Sequence, residues 1–472
     1  MSLQESVVAF LPLLIVSSCA LLMMLADAFA PRRGVMSFGL GIAGLLGAIV
    51  ASFYNFGWTG IAFGGMVMFG GFANYFAALF CAGTLVSFLF ARSYLMNEKI
   101  NHAEFYALLL FALSGMMLMA AAKDMIVLFI GLELMSVCFY ILAGFARTRA
   151  RSNEAGLKYF LLGAFSTGFF LYGIALVYGA TGATNFDAIR AALPSVTHQP
   201  IFWLGGALIL IAFAFKIAAF PFHMWAPDVY EGAPTPVSGW MSSVGKAAAF
   251  SAIILVAVHV FGVNDPKFRT IVAAIAAITM IYGNITALAQ QSVKRMLAYS
   301  SIAHAGYMLV GIAAGSAMGL GATAYYTAVY VFMQIGAFGI AAELERESEV
   351  VTISDFAGLG ARKPFFAAVF SIFLFSLAGI PPLGGFFGKY YLFASAVQNG
   401  MTWLAIVGII ASIISVYFYI GLIVKMYFQD STSTAALALS RITTIALWLS
   451  CIAVLALGIM PKPFVGLIQQ IF

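Results

Sequence analysis

Apolar runs long enough to cross a membrane recur along the whole chain. A membrane-crossing helix needs about 17–25 predominantly apolar residues, and the 472-residue sequence contains fourteen such runs. They lie near 7–27, 34–54, 73–95, 104–121, 125–145, 155–179, 202–226, 236–262, 268–289, 293–314, 318–342, 364–395, 401–427 and 438–460. Backbone polar groups in lipid must be satisfied inside a helix or a closed barrel. With 63% hydrophobic and 8% charged residues, the sequence predicts an all-α membrane protein, and we number these runs spans 1 to 14.

Spans 7 and 12 each combine proline with a lysine. Lys216 lies five residues before Pro221, and Lys389 follows Pro381 and Pro382 after a glycine-rich stretch. A proline removes a helix hydrogen bond, and a charged amine is costly in hydrocarbon. Their combination predicts two broken helices, each presenting a titratable amine at membrane depth, as in ion paths built on internal repeats.

The two broken spans occupy matching places in two blocks of five, spans 4–8 and spans 9–13. Blocks with an odd number of spans insert with opposite topology, so an inverted repeat is predicted. The predicted organisation is an N-terminal three-helix segment (1–103), a first five-helix repeat (104–262), a second five-helix repeat (263–428) and a C-terminal helix (429–472).

The basic residues predict that both termini lie on the outer side of the membrane. Cytoplasmic loops carry an excess of lysine and arginine. With this orientation, the inner loops hold fourteen basic residues: Arg32, Arg33, Arg92, Lys99, Arg147, Arg149, Arg151, Lys294, Arg295, Arg346, Arg362, Lys363, Lys425 and Arg441. The outer loops hold five: Lys123, Arg190, Lys267, Arg269 and Lys462. The net charge of +6 is thus a topology signal and indicates no nucleic-acid partner.

Four lysines fall inside the spans: Lys158, Lys216, Lys246 and Lys389. A lysine amine removed from water can take up and release a proton near neutral pH. The alternative is a long side chain that reaches the membrane surface from a span end. Lys216 and Lys389 lie too far inside their spans to reach the membrane surface. For Lys246 both interpretations stay open.

Glu133 is the acidic residue in the middle of a span, and His304 is a histidine among hydroxyl groups. A lone carboxylate at that depth needs a partner, and neighbouring spans could bring Lys158 to it; a static ion pair is the alternative. An imidazole can pass a proton between two partners, although a hydrogen-bonded core histidine is equally consistent. The roles of His223 and Lys294 stay open.

Several other classes of site are excluded or disfavoured. The four cysteines are far apart in apolar runs and form no CxxC pair, which disfavours iron–sulfur, zinc and haem c sites; they are Cys19, Cys81, Cys138 and Cys451. A GxGxxG match at 39–44 lies inside a span without a preceding strand, so it indicates helix packing. The acidic run Glu343, Glu345, Glu347 and Glu349 predicts a solvated face or a docking surface for a neighbouring subunit.

Three segments carry distinctive patterns: Phe-Lys-Ile-Ala-Ala-Phe-Pro-Phe-His within 215–237, Val-Lys-Arg-Met-Leu-Ala-Tyr-Ser-Ser-Ile-Ala-His-Ala-Gly-Tyr at 293–307, and Ser-Leu-Ala-Gly-Ile-Pro-Pro-Leu-Gly-Gly-Phe-Phe-Gly-Lys at 376–389. They resemble the antiporter-like proton-pumping membrane subunits of respiratory complex I, and most closely the subunit N family. The resemblance covers essentially the whole chain. Subunit M looks to carry glutamate at the position of Lys389, so that lysine disfavours subunit M.

The resemblance implies a fold of fourteen spans and a central chain of polar residues. Its proton path would contain Glu133, Lys158, Lys216, Lys246 and Lys389, and we add His304 from its place in the second repeat. It also implies a translocase subunit of NADH–quinone oxidoreductase without a redox site of its own, since NAD, FMN, iron–sulfur clusters and quinone belong to other subunits.

The implied partners are neighbouring membrane subunits, including antiporter-like ones, together with lipid and protons. The implied location is the bacterial inner (plasma) membrane, or the mitochondrial inner membrane for an organelle-encoded chain. One alternative is a subunit of a cation/proton antiporter of the same superfamily. Another is a purely structural subunit whose buried charges are paired and inert.

Overall fold

The computed structural model describes residues 7–29, 34–345, 351–430 and 440–472. Thirteen helices in these residues are long and apolar enough to cross a membrane, and Pro364–Ala378 is a shorter apolar helix. The fourteen form spans 1 to 14, which confirms the predicted all-α membrane fold. Arg32, Arg33, Arg346, Glu347 and Glu349 lie outside the described residues.

The uninterrupted spans follow the hydropathy pattern closely, because each apolar run becomes one helix. Spans 1 to 6 are Leu11–Phe29, Gly34–Tyr54, Gly71–Asn97, Ala103–Ala121, Met125–Ala143 and Ala150–Thr181. Spans 9, 10, 11, 13 and 14 are Pro266–Leu288, Val293–Ala313, Ala317–Leu344, Thr402–Phe428 and Arg441–Ile459. Spans 8, 10 and 11 are almost wholly buried, whereas span 1 is mostly on the surface. The centre of the bundle is thus formed by the spans that carry Lys246 and His304.

Span 7 is broken as the proline predicts. Its first part is Pro200–Ile217 and its second part is Trp225–Gly232. Ala218, which directly follows the first part, has a left-handed φ of 57°, and the peptide bond before Pro221 is cis. The break leaves Lys216 in the last turn of a helix that ends inside the bundle.

Span 12 is broken in the same manner. Its parts are Pro364–Ala378 and Gly384–Gln398. Gly379 ends the first part with a φ of 88°, a value that glycine adopts without steric cost. The peptide bond between Pro381 and Pro382 is cis.

Span 8 differs from the continuous α-helix that the sequence predicts. It runs from Thr235 to Phe261, but two stretches of it, Met241–Gly245 and Ala257–Phe261, are π-helical. A π-bulge widens a helix locally and is frequent at functional sites. The first bulge ends directly before Lys246.

Short elements join the spans. A two-stranded hairpin pairs Gly60–Ala62 with Val67–Phe69 around a 3₁₀ turn at Phe63–Gly65. Helical segments also cover Phe186–Val196, Ile353–Phe356 and Leu359–Arg362. The predicted single C-terminal helix is wrong in detail, since Arg441–Ile459 is followed by a separate helix, Pro461–Gln469. Pro461 starts the new helix because it lacks the N–H that would continue the old one.

Glycines let two pairs of neighbouring spans approach closely. A Cβ atom on Gly115 of span 4 would lie 2.5 Å from the carbonyl oxygen of Gly131 in span 5. In the second block, a Cβ atom on Gly283 of span 9 would lie 2.7 Å from the backbone nitrogen of Ala303 in span 10. Small residues at such crossings allow the backbones of membrane helices to touch.

Candidate proton path

Lys216 is buried and contacts two hydroxyl groups of span 5. Its side chain is 7% exposed. The ammonium Nζ donates a hydrogen bond to Ser136 Oγ at 2.7 Å and another to the Tyr140 hydroxyl at 3.5 Å. Nζ also lies 5.6 Å from the centroid of the Tyr140 ring. Hydroxyl groups both donate and accept hydrogen bonds, so they can transfer a proton to the amine or take one from it.

Glu133 lies on the same face of span 5 but is partnered by span 6. The hydroxyl of Thr167 donates to its carboxylate at 2.7 Å. Residues three and seven positions apart share a helix face, which places Glu133 one turn before Ser136 and two turns before Tyr140. The residue is only half-buried, so part of its side chain lies at the surface of this chain.

The structure does not bring Lys158 to Glu133. Its Nζ lies 2.7 Å from Glu154 and 2.9 Å from Asp228, and the side chain is 43% exposed. Thr167, the residue of span 6 that contacts Glu133, is nine positions further along the helix, about 13 Å at the α-helical rise. The predicted pairing of Lys158 with Glu133 is therefore wrong, because Lys158 lies at the predicted inner end of the bundle.

Lys246 is buried between spans 8 and 10. It is 1% exposed. Its Nζ donates one hydrogen bond to the backbone carbonyl oxygen of Ser301 at 2.6 Å and another to the hydroxyl oxygen of the same residue at 2.5 Å. Nζ lies 5.9 Å from the centroid of the Tyr330 ring. The amine is held by one residue through two oxygen atoms.

His304 is sandwiched between two tyrosine hydroxyls. Its Nδ1 shares a hydrogen bond of 2.6 Å with Tyr326 of span 11, and its Nε2 shares one of 3.2 Å with Tyr419 of span 13. A neutral imidazole has one donor and one acceptor nitrogen, so one tyrosine donates to the ring and the other accepts from it. This arrangement suits transfer of a proton through the ring.

The Lys389 amine lies at the break in span 12 and binds the end of the first helical part. Its Nζ donates to the carbonyl oxygens of Leu377 and Ala378, each at 3.1 Å, and to Ser412 Oγ at 2.6 Å. The last carbonyls of a helix have no partner within it and carry partial negative charge. The amine also lies 4.6 Å from the centroid of the Tyr307 ring in span 10.

Both Lys246 and Lys389 contact span 10. Lys246 contacts Ser301, and Lys389 lies over Tyr307, with His304 midway between these two residues in the sequence. The structure therefore places the lysine of span 8, the histidine of span 10 and the lysine of span 12 around one stretch of helix.

The two residues whose roles were open have different surroundings. Lys294 and Glu345 form a buried ion pair at 3.4 Å, and Lys294 also donates to the carbonyl of Ala233 at 3.1 Å. His223 is 3% exposed and packs 4.5 Å from the ring centroid of Tyr282. Among the described residues its Nδ1 has no hydrogen-bond partner.

The predicted solvated face of the acidic run is wrong for the part that the structure describes. Glu343 and Glu345 are each 5% exposed. Glu343 accepts from Thr443 at 2.8 Å, and Glu345 also accepts from Thr235. Both residues lie at the last turn of span 11. Spans 8, 10 and 14 pack around that turn and provide the partners of the two carboxylates.

The hydroxyl partners of the lysines, of Glu133 and of His304 were not predicted from the sequence. They are Ser136, Tyr140, Thr167, Ser301, Tyr326, Ser412 and Tyr419. Hydroxyl residues are frequent in membrane helices, so their presence alone gives no signal. The spacing of three and seven residues from Glu133 could have pointed to Ser136 and Tyr140.

The described residues show no site for a resident metal. No group of three or more histidines, cysteines, aspartates or glutamates within them is placed to hold an ion. The four cysteines are free and buried. The chemistry of the site is therefore that of amines, hydroxyls, an imidazole and one carboxylate.

Two broken helices with buried lysines beside them, in a bundle of fourteen spans, define an antiporter-like membrane subunit. The family described as "NADH:quinone oxidoreductase/Mrp antiporter, TM" matches residues 122–415. NADH-quinone oxidoreductase subunit N of Trichlorobacter lovleyi is 44% identical over 98% of this chain and 96% of that protein. The chain belongs to this family and, within it, to the subunit N proteins.

Solved structures share the fold of this chain. A chain of respiratory complex I from Thermus thermophilus with bound aureothin is 33% identical, with a TM-score of 0.83 over 96% of this chain and 98% of that one. A chain of the Mrp complex from Dietzia shares the fold at 21% identity, with a TM-score of 0.86 over 100% of this chain and 97% of that one.

Proposed function

We propose that this chain translocates protons across the membrane as a subunit of NADH–quinone oxidoreductase. The proposed path is a row formed by Glu133, Lys216, Lys246, His304 and Lys389. The main support is the contact of both Lys246 and Lys389 with one helix, span 10, whose His304 bridges two tyrosine hydroxyls.

The surroundings of each amine favour proton exchange over a static charge. A buried ammonium that serves stability alone needs a carboxylate partner, as Lys294 has in Glu345. Lys246 and Lys389 instead contact serine hydroxyls and backbone carbonyl oxygens. Such partners stabilise the protonated amine without neutralising its charge, so loss of the proton leaves no unpaired anion behind.

A proton moves along such a row by short steps. Each step needs donor and acceptor within about 2.6–3.2 Å, directly or through one water. At His304 one nitrogen takes up a proton while the other releases one, and Tyr326 and Tyr419 accept and donate at the two sides. Protonated lysines in a row repel, so their titrations are coupled, and a charge change at one end is felt at the next.

The inverted repeat is supported by matching breaks. After the first part of span 7, the N–H of Ala219 donates to Ala214 O at 2.7 Å; after the first part of span 12, the N–H of Ile380 donates to Phe375 O at 3.0 Å. Both are the six-residue hydrogen bond of a Schellman helix end. Together with the close glycine crossings of spans 4–5 and 9–10, this supports repeats at 104–262 and 263–428, flanked by 1–103 and 429–472.

The partners in the proposal are neighbouring membrane subunits, including antiporter-like ones. Glu133 is half-buried on a face that also exposes Ile130 and Val137. A carboxylate exposed at membrane depth is costly, so a neighbouring subunit is expected to cover it. The redox groups, namely NAD, FMN, iron–sulfur clusters and quinone, belong to other subunits in this proposal, and both termini lie on the outer side of the inner membrane.

A sodium path fits the row poorly. Hard cations such as Na⁺ prefer several oxygen ligands with negative charge, whereas this row contains three lysines and a single carboxylate, Glu133. A subunit that exchanges another cation for protons would place that cation among like charges. The described residues therefore favour protons as the transported ion.

The direct test is Lys216→Ala in the assembled complex. We expect coupled NADH–quinone turnover and proton pumping to fall together while the subunit composition stays unchanged. Lys267→Ala is the matched control, because Lys267 is exposed at the predicted outer end and its loss should leave both activities intact. Full pumping by an assembled Lys216→Ala complex would refute the role of Lys216.

A further inference from the structure

A large apolar cavity lies between spans 2, 3, 11 and 14, at the predicted outer end of the bundle. Its volume is about 440 Å³, and its lining includes Phe53, Leu79, Tyr325 and Phe464. Phe53 is 62% exposed and Phe464 is 37% exposed, so the cavity opens on the surface that faces the bilayer. We call it the outer cavity.

The short helix Pro461–Gln469 forms one wall of this cavity and is weakly held by protein. Phe464 and Leu467 line the outer cavity. Val465 and Ile468 line a second apolar space of about 340 Å³ on the other side of the helix. Ile468 is the one residue of the helix that is buried. The helix therefore has apolar space on both flanks, as expected of a helix that lies in the membrane interface.

Water is an unsuitable occupant of the outer cavity. A buried water needs two to four polar partners, and apolar cavities stay dry. Tyr75 lines the cavity, but its hydroxyl already donates to Ala324 O at 3.1 Å. A cavity of about 150 Å³ is enough for benzene, so one of about 440 Å³ admits a hydrocarbon chain, and the adjoining bilayer supplies such chains.

An exposed cation is adjacent in sequence to two residues of the cavity lining. Lys462 is exposed and directly precedes Pro463 and Phe464, which both line the cavity. A lysine at the membrane interface attracts the phosphate of a lipid headgroup. Apolar space below and a cation above match the two parts of a phospholipid.

We propose that the outer cavity binds a phospholipid, with an acyl chain between spans 3, 11 and 14 and the phosphate at Lys462. The bound lipid supports span 11 beside the proton path, because Tyr325 lines the cavity and the next residue, Tyr326, hydrogen-bonds His304. That last consequence rests on the proposed function, whereas the lipid site itself does not.

The test uses the purified complex and a phospholipid with a photoreactive diazirine on its acyl chain. After illumination and proteolysis, mass spectrometry should locate adducts on residues 75–82, 325–332 and 453–467. Ala78→Phe, which fills the cavity, should lower these adducts several-fold. Ala274→Phe is the matched control, since Ala274 is exposed on span 9, and it should leave the adducts unchanged.

A charge reversal tests the headgroup contact. Lys462→Glu should lower the same adducts, and Lys267→Glu, at another exposed lysine of the predicted outer end, should not. Adducts spread evenly over all bilayer-facing spans, or adducts that Ala78→Phe leaves at full yield, would overturn the lipid site. If Ala78→Phe abolishes the adducts while proton pumping stays normal, the lipid site stands, and only the proposed effect of the lipid on the proton path is refuted.

Discussion

The Nζ atom of Lys246 lies 2.6 Å from the carbonyl oxygen and 2.5 Å from the hydroxyl oxygen of Ser301. Ser301 lies three residues before His304, so the amine contacts the helix that carries the imidazole one turn away. This contact joins the lysine of span 8 to the histidine of span 10.

Ser301→Ala should slow proton pumping without preventing assembly. The variant removes the hydroxyl partner of Lys246 but keeps the carbonyl oxygen, and a hydrogen bond from a charged group contributes about 1.5–3 kcal/mol. Ser251→Ala is the matched control, because Ser251 is a buried serine of span 8 that bonds within its own helix, to Ala248 O at 2.8 Å. Equal pumping rates in the two variants would contradict a role for the Ser301 hydroxyl.

Tyr326→Phe should impair pumping more than Tyr325→Phe. Both changes remove one buried hydroxyl from neighbouring positions of span 11, but Tyr326 bonds His304 and Tyr325 bonds the carbonyl of Leu457. Pumping and NADH–quinone turnover in reconstituted vesicles measure the difference. If both variants lose the same fraction of activity, the loss comes from packing and not from the relay at His304.

Glu133→Gln should preserve the fold better than Glu133→Ala. Glutamine keeps the volume and an acceptor for the Thr167 hydroxyl, which donates at 2.7 Å, whereas alanine leaves that hydroxyl without its partner. Both variants should lose coupled activity because both lack the charge. The yield of assembled complex on native gels checks the first part, and normal pumping by the glutamine variant would contradict the second.

Glu345→Ala should destabilise the complex more than Asp228→Ala. Glu345 pairs with Lys294, and these side chains are 4% and 2% exposed; an unpaired buried charge costs about 3–5 kcal/mol. Asp228 pairs with both Lys158 and Arg295, and the three side chains are 38%, 43% and 29% exposed; each such pair contributes about 0.2–1 kcal/mol. The half-life of NADH–quinone activity at raised temperature should be shorter for Glu345→Ala, and the reverse order would contradict the burial argument.

The sequence predicted the spans and the broken helices because both rest on local rules. Length and apolarity define a span, and proline beside an isolated lysine marked the breaks at Lys216 and Lys389. Assignments that depend on packing were less accurate. Lys158 turned out to be at the predicted inner end, and Glu345 turned out to be buried, because the neighbours that decide burial come from distant segments.

The hydroxyl partners were beyond prediction for a different reason. Ser136 and Ser412 look like any serine in a membrane helix, and only the approach of Lys216 and Lys389 distinguishes them. The π-bulge before Lys246 likewise has no sequence signal, since it depends on how span 8 is packed among its neighbours. Chemistry-bearing residues could thus be found, but their contacts required the structure.

The most direct test of the proposed path measures two rates for the Lys246→Ala complex in sealed vesicles, the rate of proton pumping and the rate of coupled NADH oxidation. The row is proposed as one unit with coupled titrations, so loss of its central amine should lower both pumping and coupled turnover in a fully assembled complex. Lys267→Ala, measured alongside, should match the unmodified complex. A Lys246→Ala complex that assembles and pumps at the unmodified rate would contradict the row as a proton path.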